Sequence, residues 1–148
     1  MMKKVLLVAT LASIGATACS NDLTTDPSNQ NAITVETIAQ KWQLAMVDDQ
    51  TISAEGAPTL TVSTDMVASG YTGCNRYFGN AQLENNRFRI DRMASTRMAC
   101  ASQAMDMEFT VSDVLSDWSQ INITDNQLTL ANDKTTLTFN AVQSNTTP

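Results

Sequence analysis

Large apolar residues alternate with polar ones in short runs, and turn residues interrupt the runs at short intervals. In residues 41–46, Trp42, Leu44 and Met46 fall at period two, which places all three on one face of an extended strand. The turn cluster AEGAP at 54–58 ends that run, and Leu60 and Val62 resume it. Further strands are expected at 66–71 and 77–83, on either side of a Gly-Cys-Asn corner. Asn85-Asn86 then separates Leu83 from Phe88 and Ile90, a tight hairpin turn because Asn tolerates positive φ. Three more strands are expected at 118–123, 127–131 and 135–139, with Asp125-Asn126 and Asn132-Asp133 as turns. Links this short make neighbouring strands antiparallel.

One segment departs from period two. Residues 102–117 contain no Gly or Pro, and Met105, Phe109, Ser112 and Leu115, with Val111 and Val114 beside them, approximate a helical stripe. Ser102 is placed to cap the N-terminus of that helix. A lone amphipathic helix among strands must bury its stripe against a sheet. The expected fold is therefore mainly β (α+β): a curved antiparallel sheet or half-barrel of about seven to eight strands, with one helix packed on its concave face.

The first 18 residues read as a leader. Lys3 and Lys4 precede an apolar run from Val5 to Ile14, and small residues lead into Cys19, the order of a cleavable signal peptide. The run is shorter than the roughly 20 apolar residues that a permanent span needs. Ala16-Thr17-Ala18 suits an ordinary signal peptidase, but small residues directly before a cysteine also resemble the lipobox of bacterial lipoproteins, in which that cysteine is acylated. The departure is Ala16, where lipoboxes usually carry Leu. With Cys19 lipidated, Ser20 in the next position implies an outer-membrane lipoprotein facing the periplasm; ordinary cleavage implies a free periplasmic or secreted protein. Residues 19–37, rich in Asn, Asp, Ser and Thr, are expected to form a flexible tether. A domain over residues 38–141 and a C-terminal tail over 142–148 follow.

Cysteine parity agrees with the leader. The chain has Cys19, Cys74 and Cys100, and acylation of the first leaves an even pair. An oxidising compartment favours a disulfide between Cys74 and Cys100, closing a loop worth about 3.6 kcal/mol in the chain-entropy account. Two buried, reduced thiols are the alternative.

The most specific stretch is GYTGCNRYFG at 70–79, followed by MASTRMAC at 93–100. Together with Trp42, Glu108 and the late strand Leu128-Thr129-Leu130, these motifs make the chain resemble the META domain (HslJ-like) family over about residues 38–141. The motif positions carried over are Gly70, Gly73, Cys74, Asn75, Tyr77, Gly79, Met93, Ser95, Thr96, Arg97, Met98, Cys100 and Glu108. The resemblance implies a small secreted or envelope protein with a curved antiparallel sheet and a helix, linked to heat shock, stress and antibiotic tolerance. It also implies a disulfide between the two motif cysteines. On the residues alone, the glycines permit sharp bends and Asn75 can cap a turn through its side chain.

The chemistry that remains is sparse. No His occurs in the chain, which removes Ser–His and Cys–His dyads and histidine metal sites. Cys74 and Cys100 are too far apart in sequence for a CxxC redox motif. Asp48 and Asp49 are expected on a strand, pointing to opposite faces. Met93, Met98, Met105 and Met107 crowd the sequence around Cys100, and core packing explains them better than a soft-metal site. No catalytic residue, metal or cofactor is therefore expected.

Removing the leader takes the formal charge from −6 to −8, which disfavours nucleic acid as a partner. Arg76, Arg87, Arg89, Arg92 and Arg97 form a local basic island, in which Arg87 and Arg89 share one strand face opposite Phe88 and Ile90. The expected function is that of a non-enzymatic envelope lipoprotein, held to the membrane by N-terminal acyl chains and supporting stress or antibiotic tolerance by binding envelope proteins or other envelope components. The second expectation is a carrier or pilot whose concave face holds an acyl chain or a partner's hydrophobic segment.

Overall fold

The computed structural model describes residues 32–143. The leader, Cys19, the tether up to residue 31 and the tail from residue 144 lie outside the described residues. Chain entry differs from the tether expectation, because Val35–Ile38 (α1) form one helical turn. Thr34 N–H donates to Thr37 Oγ1 at 3.0 Å, and that hydroxyl donates back to the Thr34 carbonyl at 2.9 Å. The turn delivers Ile38 fully buried into the core, and the Ile38 carbonyl accepts the Trp42 indole N–H at 3.0 Å.

The strands follow as β1 (Lys41–Val47), β2 (Gln50–Thr51), β3 (Thr59–Val62), β4 (Val67–Tyr71), β5 (Arg76–Glu84) and β6 (Arg87–Ser95). The helix α2 (Ser102–Ser116) precedes β7 (Ser119–Thr124), β8 (Gln127–Ala131) and β9 (Thr136–Ala141). All pairings are antiparallel, in the order β2-β1-β3-β4-β5-β6-β7-β8-β9. The curved sheet closes on itself, because β1 pairs with β3 on one side and with β9 on the other. Trp42 is thus matched to both Leu60 and Ala141. Eight strands form the closed barrel, and two-residue β2 extends β1 as a short hairpin. Closure removes the unpaired edges that an open sheet would expose.

Alternation selects the core. Trp42, Leu44, Leu60, Phe88, Ile90, Leu128, Leu130, Leu137 and Phe139 are fully buried inside the barrel cluster, each worth about 1.5–3 kcal/mol relative to exposure. Met46 breaks the expected series. A register shift between Leu44 and Met46 in the β1–β9 ladder changes which residues face inward, and Val47 packs on the core instead. Asp48 and Asp49 are not on a strand: they form the β1–β2 turn, with Asp48 at φ 51°. Asp48 Oδ1 accepts the Thr136 N–H at 2.8 Å. Asn85 and Asn86 both take positive φ, as their hairpin requires.

The helix replaces a strand neighbour. β6 and β7 pair only at Arg87↔Gln120 and Phe88↔Ser119, and α2 packs along β6, with smaller contacts to β8 and β9. Its N-cap is Ala101, not Ser102, which is the first helical residue and makes no capping bond. Its buried face is Val111, Val114 and Leu115, with Met107 packed against the core. Phe109 points away and is 68 % exposed, so the apolar stripe runs through 107, 111, 114 and 115 rather than through Phe109. Ser119 Oγ donates to the Val114 carbonyl at 2.7 Å in the interior, fastening the helix end to β7. The barrel interior is filled by side chains, an arrangement that opposes a carrier holding an acyl chain inside it.

Candidate functional site

The GYTGCN corner is built around Thr72 and Asn75. The Thr72 N–H and hydroxyl both donate to the Asn75 carbonyl at 2.9 Å, and Asn75 N–H donates to Thr72 Oγ1 at 3.2 Å. Both residues are buried, so this small loop supplies its own partners where water has no access. Gly73 sits at φ 110°, a conformation open in practice to glycine alone, and Tyr71 OH donates to its carbonyl at 2.7 Å.

The Asn75 side chain joins three segments. Its Oδ1 accepts the Thr96 hydroxyl and the Met98 N–H, each at 2.7 Å. Its Nδ2 donates to Glu108 Oε2 on α2 at 2.7 Å and to the Met98 carbonyl at 3.4 Å. Thr96 is held a second time, since its hydroxyl accepts the Arg76 N–H at 3.1 Å. Beside this hub a disulfide joins Cys74 to Cys100, with their Cα atoms 5.9 Å apart. The corner, the stretch after β6 and the first half of α2 are therefore one clamp, tied by a charge-assisted bond and a covalent one.

The remaining motif residues take separate places around it. Tyr77 is buried on β5, and its OH donates to the Thr59 carbonyl at 2.8 Å; burial pushes its hydroxyl well above the ordinary tyrosine range. Gly70 lies against the same carbonyl, and a Cβ there would stand 2.0 Å from Thr59 O. Gly79 occupies the β5–β6 bulge opposite Arg92, which takes φ 52°. Met93 packs partly on the core, whereas Ser95 pairs with Tyr77 and is exposed. Arg97 is exposed. Met98 contributes its backbone to the hub while its side chain is 57 % exposed.

Of the five arginines of the basic island, two meet at one aromatic ring, while Arg92 lies 3.6 Å from the Asp91 carboxylate. Arg87 and Arg89 share the outer face of β6, with their Cζ atoms 5.5 and 4.6 Å from the centre of the Trp118 ring. Arg89 Nε also donates to Gln82 Oε1 at 2.7 Å. Alternation located the two arginines, but Trp118 and Thr72 were missed as partners. Trp118 reads in the sequence as the first residue of a strand, and nothing beyond its place in the GYTGCN stretch marks Thr72.

Among the described residues every buried side-chain nitrogen or oxygen has a hydrogen-bond partner, and no three acidic or cysteine groups converge as metal ligands. The buried polar groups of the motif are thus committed to holding the corner, the post-β6 stretch and α2 together. No helix among the described residues is long and apolar enough to cross a membrane.

The META domain family matches residues 34–144. The chain is 33 % identical over 141 residues to heat shock protein HslJ of Escherichia coli (strain K12), covering 93 % of this chain and 95 % of that protein. A protein solved by NMR is similar at 32 % identity and TM-score 0.65, over 74 % of this chain and 96 % of the other. The NMR structure of a protein from Burkholderia xenovorans is similar at 25 % identity and TM-score 0.60, over 77 % and 95 %.

Proposed function

Given that the chain belongs to the META domain family, we propose that it is a non-enzymatic bacterial envelope lipoprotein, exported, acylated on Cys19 and held at the outer membrane facing the periplasm. Its role is to support tolerance of heat and envelope stress by binding envelope components through its outer surface. The observation that carries this reading is the Cys74–Cys100 disulfide. A disulfide of this kind belongs to an oxidising compartment, and it leaves Cys19 as the odd cysteine, directly after a leader-like segment. The filled barrel adds a constraint, since a domain with no room inside must recognise its partners on its exterior.

The test is survival. A strain lacking the gene should lose viability under heat, envelope-active drugs or oxidants, and the wild-type gene should restore it, whereas a Cys19→Ala copy should restore it poorly. Unchanged survival of the deletion strain under all three stresses removes the support for this role.

A further inference from the structure

Where β1 turns into β2, the barrel end carries two adjoining cavities. One, of about 520 Å³, lies between the segment before β3 and the start of α2, with Ile52, Pro58, Gly73, Ala104 and Met107 among its walls. The other, of about 430 Å³, runs from Ile52 and Met107 to the Asp48-Asp49 turn. Since Ile52 and Met107 line both, the two are lobes of one groove. Each lobe falls in the size range of small-molecule sites. The partition includes a methionine, the apolar side chain best able to adjust its shape to a ligand.

The rim has one sign of charge. Glu55 stands at the first lobe, and Asp48 and Asp49 at the second, while no Lys or Arg lines either. Among the described residues none of the three carboxylates is in an ion pair. Nor do they converge as ligands for a compact metal ion. An apolar floor edged by separated, unneutralised carboxylates is complementary to a ligand with a greasy body and a diffuse positive charge.

We propose that this groove binds amphiphilic organic cations, with the apolar body against Ile52 and Met107 and the charge at the Asp49 and Glu55 rim. The site is assigned from the groove alone and stands whether or not Cys19 is acylated.

Two ions of nearly the same size and opposite charge test it: tetraphenylphosphonium and tetraphenylborate, titrated into the purified chain by calorimetry and followed by methyl NMR of methionine and isoleucine. Tetraphenylphosphonium should bind and shift the Met107 and Ile52 methyls, with tetraphenylborate at least about tenfold weaker. Asp49→Asn combined with Glu55→Gln should weaken the cation by about threefold or more, the scale of solvent-exposed charge pairs. Both positions are exposed, so the fold is not at stake. Asp125→Asn with Asp133→Asn, on turns outside the groove, removes the same net charge and should leave affinity unchanged. The proposal is overturned by absent binding, equal affinity for the two ions, silence of the Met107 methyl, or equal losses in the two double variants.

Discussion

Asn75 and Glu108 lie 33 residues apart in the chain and meet through a 2.7 Å bond from the Asn75 amide to the Glu108 carboxylate. This bond attaches the helix to the corner between β4 and β5. The same amide oxygen accepts from Thr96 and Met98, so one buried side chain sets the relative positions of three segments. Asn75→Ala should leave the Met98 N–H and the Glu108 carboxylate without their partner, at a cost of about 2–4 kcal/mol. Asn75→Asp should cost at least as much, because it places a second carboxylate against Glu108. Urea unfolding of each variant measures both losses, and a cost below about 0.5 kcal/mol for Asn75→Ala would show that the hub does not hold the three segments together.

The disulfide makes the second tie between the same segments. Replacing Cys74 and Cys100 together with Ser should lower stability by about 3–4 kcal/mol through loss of the loop constraint. Equilibrium unfolding with and without reductant should show the wild-type chain falling to the level of the double variant. The double variant itself should not respond to reductant.

At Gly70 the limit is space rather than φ. Since a Cβ would stand 2.0 Å from the Thr59 carbonyl oxygen, Gly70→Ala must push β3 and β4 apart and break the Tyr77–Thr59 bond. The expected loss is about 3 kcal/mol or more, the range of severe overpacking, seen as a large drop in melting temperature.

Tyr77 gives the chain an alkaline limit. Its hydroxyl is held protonated by burial, above the ordinary tyrosine value of about 10. Above that pH the unfolded chain releases the proton while the folded chain retains it, so the folded state binds more protons and stability falls as pH rises. Below about pH 10 the contribution is fully present. Tyr77→Phe should flatten this part of the alkaline fall, by up to about 1.4 kcal/mol per pH unit. It should also cost about 1 kcal/mol at neutral pH for the lost bond to Thr59. Unfolding free energies measured from pH 7 to 11 separate the two effects.

The face of α2 can be checked by substitution. Leu115 is buried and Phe109 exposed, so Leu115→Ala should cost about 2–5 kcal/mol and Phe109→Ala less than about 0.5 kcal/mol. The reverse order would restore the stripe through Phe109 that the sequence favours.

The difference between these two residues shows what was legible. Period-two alternation reports burial directly, so Trp42, Leu60, Phe88 and Leu130 were readable as core. Met46 was not, because a bulge reverses the inward face and sequence alone does not mark it. On the helix, Phe109 drew the stripe toward itself by hydrophobicity alone, although Val111 and Val114 face the core. Barrel closure was hidden as well: nothing local in Trp42 or Ala141 states that β1 has a partner on both sides. The motifs marked Asn75, Thr96, Met98 and Glu108 individually. Their convergence depends on the path of the chain through β5, β6 and α2, and it appears only once the fold is built.

An anchor at Cys19 and an oxidised clamp at Cys74 and Cys100 can be read in one experiment, the intact mass of protein purified from membranes, with thiols alkylated before and after reduction. The expected result is a chain beginning at Cys19 that carries an acyl-sized increment, with Cys74 and Cys100 alkylated only after reduction. An unmodified mass with Cys74 and Cys100 alkylated before reduction would contradict it.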